Sequence, residues 1–78
     1  MSQYEIILKA MLNNKNKVWW TASDFQQGDH FVGYEATARM SELKQKYLGL
    51  FNEKKIGRFR ALSINPEYDL KEFEYLMK

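Results

Sequence analysis

A chain of 78 residues without a single cysteine must be held together by an apolar core alone. Hydrophobic residues make up 45% of it and aromatic residues 15%, which is enough for one compact core and too much for a disordered chain. One domain over 1–78 is expected. No apolar run approaches the roughly 18 residues of a membrane span, and Met1-Ser2-Gln3-Tyr4-Glu5 lacks the basic and apolar regions of a signal peptide. A cytoplasmic protein without membrane contact is the expectation.

Catalysis is hard to place in this chain. It has one histidine, His30, read as a turn residue, and its four glycines (Gly28, Gly33, Gly49, Gly57) are too far apart for a phosphate-cradling loop. No ligand spacing for a metal appears. The expectation is a binding protein with no catalytic residues, metal or cofactor.

The first helix is announced by Ser2-Gln3-Tyr4-Glu5, the S-x-x-E form of a capping box. Tyr4, Ile7, Leu8, Met11 and Leu12 come next at helical spacing, and the polar run 13–17 stops them. Lys17-Val18-Trp19-Trp20-Thr21 is β-branched and aromatic, and reads as a short strand that must pair with a later one. Adjacent on a strand, Trp19 and Trp20 point to opposite sides. One belongs to the core, and the other is either buried by a helix, the first reading, or exposed as an interaction anchor. Thr21-Ala22-Ser23-Asp24 resembles a second N-terminal cap, opening a helix of about two turns that carries Phe25 inward and stops at Gly28. Phe31 and Val32 are expected to anchor the turn after Gly28.

The longest periodic segment runs from Tyr34 to Leu48. Ala36, Met40, Leu43 and Tyr47 share a narrow arc at 100° per residue, and Gly49 stands where a left-handed cap would fold Leu50 back. Two strands joined near Ile56-Gly57 come next, and Asn65-Pro66 breaks the chain. Asp69-Leu70-Lys71-Glu72 then has capping-box form and begins a terminal helix, about 67–78, bearing Leu70, Phe73, Leu76 and Met77. A helix so short must dock on the body or on a partner. Intramolecular packing is the first reading for it, and a homodimer through this helix the second.

The predicted class is α+β: a three-helix cluster, a small three-stranded antiparallel sheet with a β-hairpin, and an extra C-terminal helix. This order resembles the winged helix-turn-helix domain over about residues 2–65. Trp20-Thr21-Ala22-Ser23-Asp24-Phe25, Phe31-Val32-Gly33-Tyr34, Ala38-Arg39-Met40-Ser41-Glu42-Leu43 and Gly57-Arg58-Phe59-Arg60 are similar to small winged-helix proteins of phages and mobile elements. The resemblance implies a third helix in the DNA major groove and a wing along the backbone or an adjacent minor groove. Carried onto this chain, the recognition helix (about 34–48) would present Tyr34, Thr37, Ala38, Ser41 and Gln45, flanked by Lys44 and Lys46. Gln and Ser can pair with bases, and Thr and Ala can meet the thymine methyl, but the Arg-to-guanine contact is missing. Glu42 lies near that face, and Arg39 is read as covering apolar surface with its stem.

The wing, about 53–60, holds Lys54, Lys55, Arg58 and Arg60 for phosphates. The formal net charge of +2 conceals a polarised chain: residues 39–60 carry seven basic against two acidic side chains, whereas 66–78 carry two against four. Double-stranded DNA is therefore the first expected partner, for a phage-type or mobile-element transcriptional regulator. The alternative is a winged-helix module that binds and modulates a host or phage protein, motivated by Glu42, by the bare recognition face and by the terminal aromatics Tyr68, Phe73 and Tyr75.

Overall fold

The computed structural model describes residues 1–28 and 30–77. Its regular elements in chain order are helix α1 (Gln3–Asn13), a first 3-10 helix (Ala22–Phe25), helix α2 (Ala36–Lys46), strands β1 (Phe51–Ile56) and β2 (Phe59–Ile64), and a terminal 3-10 helix (Lys71–Leu76). It is a small α+β domain. No helix among the described residues is long and apolar enough to cross a membrane.

Helix α1 begins at the expected capping box. The Ser2 amide donates to Glu5 Oε1 at 2.9 Å, and the Glu5 amide donates to Ser2 Oγ at 3.2 Å. Ile7, Leu8, Met11 and Leu12 are buried, and Tyr4 is half-buried at the stripe's edge. At its end the Ala10 carbonyl accepts from both the backbone amide of Asn14 at 3.2 Å and its Nδ2 at 2.7 Å.

The segment after it departs from expectation. Residues 18–20 do not form a strand; only Trp20 pairs, through one antiparallel bridge to Leu62 with hydrogen bonds of 2.9 and 2.8 Å. The sheet therefore has two strands, not three. The reason is local. Lys17 is held in a turn on Asn14, and Thr21 already caps the next helix, its amide donating to Asp24 Oδ2 at 2.8 Å, so too little extended backbone is left between them. Trp20 is buried and stacks on the fully buried Phe25 at 5.3 Å between centroids. Trp19, expected in the core, is only partly buried, with Lys54 Nζ 4.4 Å from its ring centroid.

The second helix is also shorter than expected: a single 3-10 turn instead of two α-turns. The Phe25 carbonyl is taken by the amides of Val32 (2.6 Å) and Gly33 (3.0 Å), which closes the intervening loop back on the core instead of extending the helix. Val32 anchors that loop as expected; Phe31 does not, being 60% exposed.

Helix α2 is trimmed at both ends relative to 34–48, with Tyr34 and Glu35 in a turn and Tyr47 as the C-cap. Its stripe is as read: Ala36, Met40 and Leu43 are buried and Tyr47 packs against the core. Gly49, at φ +88°, reverses the chain and delivers Leu50 to full burial.

Strands β1 and β2 pair antiparallel with Ile56 opposite Phe59, leaving Gly57-Arg58 as a two-residue turn. Gly57 has φ +62° and Arg58 does not have positive φ, the pattern of a type II′ turn with glycine first. Directly opposite residues share a face, so Phe51, Glu53, Lys55, Arg60, Leu62 and Ile64 form one side of the hairpin. Asn52, Lys54, Ile56, Phe59, Ala61 and Ser63 form the other.

The terminal helix is 3-10, not α, and the expected Asp69–Glu72 capping box does not form: Asp69 Oδ1 accepts from the amide of Lys71, two residues on, at 3.0 Å. That tight turn starts residues 71–76 in the narrower 3-10 coil. Phe73 and Leu76 are buried, Phe73 meeting Tyr47 edge-on at 5.0 Å, and Asn13 Nδ2 donates to the Leu76 carbonyl at 2.8 Å. The helix thus docks within the chain. Only Tyr75 and Met77 of its large apolar residues stay exposed for a homodimer contact.

Candidate nucleic-acid interface

The outer side of α2 and the inner side of the hairpin enclose a groove of about 320 Å³. Thr37, Ser41 and Lys44 recur at four- and three-residue spacing and therefore line up along one edge of α2. Facing them are Lys55 and Arg60, a directly opposed cross-strand pair, and Arg58 from the turn. Met40 and Leu62, both buried, form the floor. Four cations and two hydroxyls thus meet over an apolar base.

One carboxylate intrudes. Glu53 Oε2 accepts from Lys44 Nζ at 2.8 Å and forms an ion pair with Arg60, whose Nε lies 2.8 Å away, tying α2 to both strands of the hairpin. The Lys44 hydrogen bond, followed by the charges of Lys44 and Arg60, holds the Glu53 carboxyl below the usual carboxylate range. Lys55 and Arg58 make no ion pair among the described residues. With four cations against one anion the groove carries a local charge of +3.

The other expected contact residues do not line this groove. Tyr34 stands just ahead of α2 and is 92% exposed, and Ala38 is exposed on its outer ridge. Gln45 and Lys46 border a different groove, of about 630 Å³, between α1 and α2, where Lys46 Nζ lies 5.4 Å from the Tyr47 ring centroid. Lys54 points to the opposite hairpin face, over Trp19. The structure therefore gathers Thr37, Ser41, Lys44, Lys55, Arg58 and Arg60, and leaves Tyr34, Ala38, Gln45, Lys46 and Lys54 outside.

Glu42 is not a bare negative charge on the surface of α2. Tyr4 Oη donates to its Oε2 at 2.7 Å, and Arg39 Nη1 pairs with its Oε1. The Tyr4 hydroxyl first, then Arg39, lowers its pKa, so it stays ionised with its charge offset. Arg39 also donates from Nε to Gln3 Oε1 at 2.7 Å and covers the Tyr4 ring at 5.5 Å, away from the basic groove.

Composition alone does not single out Glu53, which is one of two acids against seven bases in residues 39–60. Its spacing points to the side it takes: in a strand Glu53 and Lys55 fall on one face, which puts the carboxylate on the cationic side of the hairpin. Compared with known proteins, the chain matches no family model, no curated protein and no solved structure.

Proposed function

We propose that this is a small, non-catalytic winged-helix DNA-binding protein, a phage-type or mobile-element transcriptional regulator. The observation that carries the reading is the convergence of Lys44, Lys55, Arg58 and Arg60 with Thr37 and Ser41 in one groove. Such a surface offers cations to phosphates and hydroxyls to base edges side by side. Two features support the winged-helix assignment: the order of elements, and the Trp20–Leu62 bridge, a single antiparallel pairing of the segment before the first 3-10 helix with β2.

Helix α2 has 11 residues, a rod about 16 Å long and about 10–12 Å across with its side chains, which matches a major groove about 12 Å wide. In that position Thr37, Ala38 and Ser41 face base edges, and Tyr34 lies at the entry. The hairpin then rests on the backbone through Lys55 and Arg58. Lys44 and Arg60 are partly neutralised by Glu53 and contribute less.

The exposure of Phe31 and Tyr34 ahead of α2 favours a second reading, a module that docks on a protein through these aromatics. The readings separate in one experiment, a binding titration of wild type, Lys55→Glu/Arg58→Glu and Tyr34→Ala against duplex DNA. On the DNA reading the charge reversal weakens binding at least about 100-fold near 0.1 M salt, since two phosphate contacts become repulsions. Unchanged duplex affinity in the reversed variant removes the hairpin from the interface.

A further inference from the structure

Ile56 and Phe59 face each other across the last pair of the hairpin, beside the Gly57-Arg58 turn. They are 46% and 56% exposed, although both are large and apolar and the rest of β2's apolar content is buried or partly buried. They lie on the face opposite Lys55 and Arg60, so the groove floor does not use them. Residues 54–60 contain four basic side chains (Lys54, Lys55, Arg58, Arg60) and no acidic one. An apolar tip wrapped in positive charge is complementary to a polyanion that also offers apolar surface. In duplex DNA that surface is the base stack.

We propose that the Ile56–Phe59 pair is an apolar wedge that enters a base-pair step from the minor groove, unstacking it and bending the duplex. The proposal rests on the DNA reading above. Arg58 in the turn and Lys54 and Lys55 behind it would hold the phosphates on either side of the opened step. The type II′ turn keeps the tip only two residues wide, which limits how far the groove must open. Flexible steps such as TA, the least costly to unstack, would be preferred.

The test uses a short duplex with 2-aminopurine replacing adenine at a central TA step and donor and acceptor dyes at its ends. Wild type is expected to raise 2-aminopurine fluorescence and to shorten the end-to-end distance. Phe59→Ala is expected to weaken binding about tenfold, on the scale of one lost base–aromatic contact. Its salt dependence should stay as in wild type, because no charge is removed, while both optical signals disappear. Phe59→Leu, which keeps an apolar tip, should retain part of each signal.

Two results overturn the wedge while leaving DNA binding intact. One is salt-sensitive wild-type binding with no change in either signal. The other is a Phe59→Ala protein that keeps wild-type affinity and full signals. If wild type shows no duplex binding at low salt, the DNA reading itself falls and the wedge with it.

Discussion

At the scale of single residues, Glu53 decides how much of the groove's charge a ligand meets. Its one oxygen holds Lys44 from α2 and Arg60 from β2, each at 2.8 Å. A phosphate oxygen seeking those cations must displace the carboxylate or settle further out, at Lys55 and Arg58. Glu53→Gln removes one negative charge and raises the local charge from +3 to +4. The expected outcome is tighter duplex binding, by about three- to tenfold near 0.1 M salt, with a salt slope steeper by about 0.9. Anisotropy titrations at several salt concentrations read both quantities. Unchanged affinity and slope would place Lys44 and Arg60 outside the path of the anion.

At the scale of elements, the hairpin depends on its turn. Gly57 occupies φ +62°, and a Cβ there meets nothing within 4 Å, so the cost of a side chain is backbone strain and not a clash. Gly57→Ala should therefore destabilise the domain by about 1 kcal/mol, read as a lower midpoint in urea denaturation. A larger loss would mean that the tip packs more tightly than its exposure indicates. The elements also differ in how far the sequence announces them. Helix α1 is legible because its cap, stripe and stop agree, and α2 because four apolar residues share one arc. The hairpin is legible as two strands around Gly57, but its turn is Gly57-Arg58 and not Ile56-Gly57. Glycine with positive φ takes the first turn position and returns Ile56 to β1.

Where long-range contacts compete with local signals, the sequence misleads. Residues 17–21 have strand composition, but turn and cap hydrogen bonds on both sides leave a single bridge at Trp20. Phe25 has helical company, yet its carbonyl is claimed by Val32 and Gly33. The cations of the groove are legible as a charge run, but which of them converge depends on facing. Strand alternation turns Lys54 away from Lys55, and the helical period turns Lys46 away from Lys44.

At the scale of the whole molecule, three surface carboxylates, one capping α1 and two bridging separate elements, share a pH dependence. Glu5, hydrogen-bonded to the Ser2 backbone, Glu42, to Tyr4 and Arg39, and Glu53, to Lys44, all have lowered pKa values. A depressed folded-state pKa stabilises the fold above the unfolded value and loses that contribution as pH falls through the folded one. Thermal stability should thus be level above about pH 5 and decline from about pH 4.5 downward. A Glu42→Gln/Glu53→Gln double variant should show a shallower decline in melts between pH 7 and pH 3. A decline as steep as in wild type would mean that these contacts do not carry the acid sensitivity.

The same charge distribution gives the molecule its polarity, with the basic groove between α2 and the hairpin and the excess of acid in residues 66–78. The central claim is that this groove binds the phosphate backbone of DNA. It is tested most directly by fluorescence anisotropy of wild type against a random-sequence duplex, titrated from about 20 to 200 mM salt. A net of three groove charges predicts that log K falls with log salt at a slope of about −2.7 or steeper. No binding at the lowest salt, or binding indifferent to salt, would contradict it.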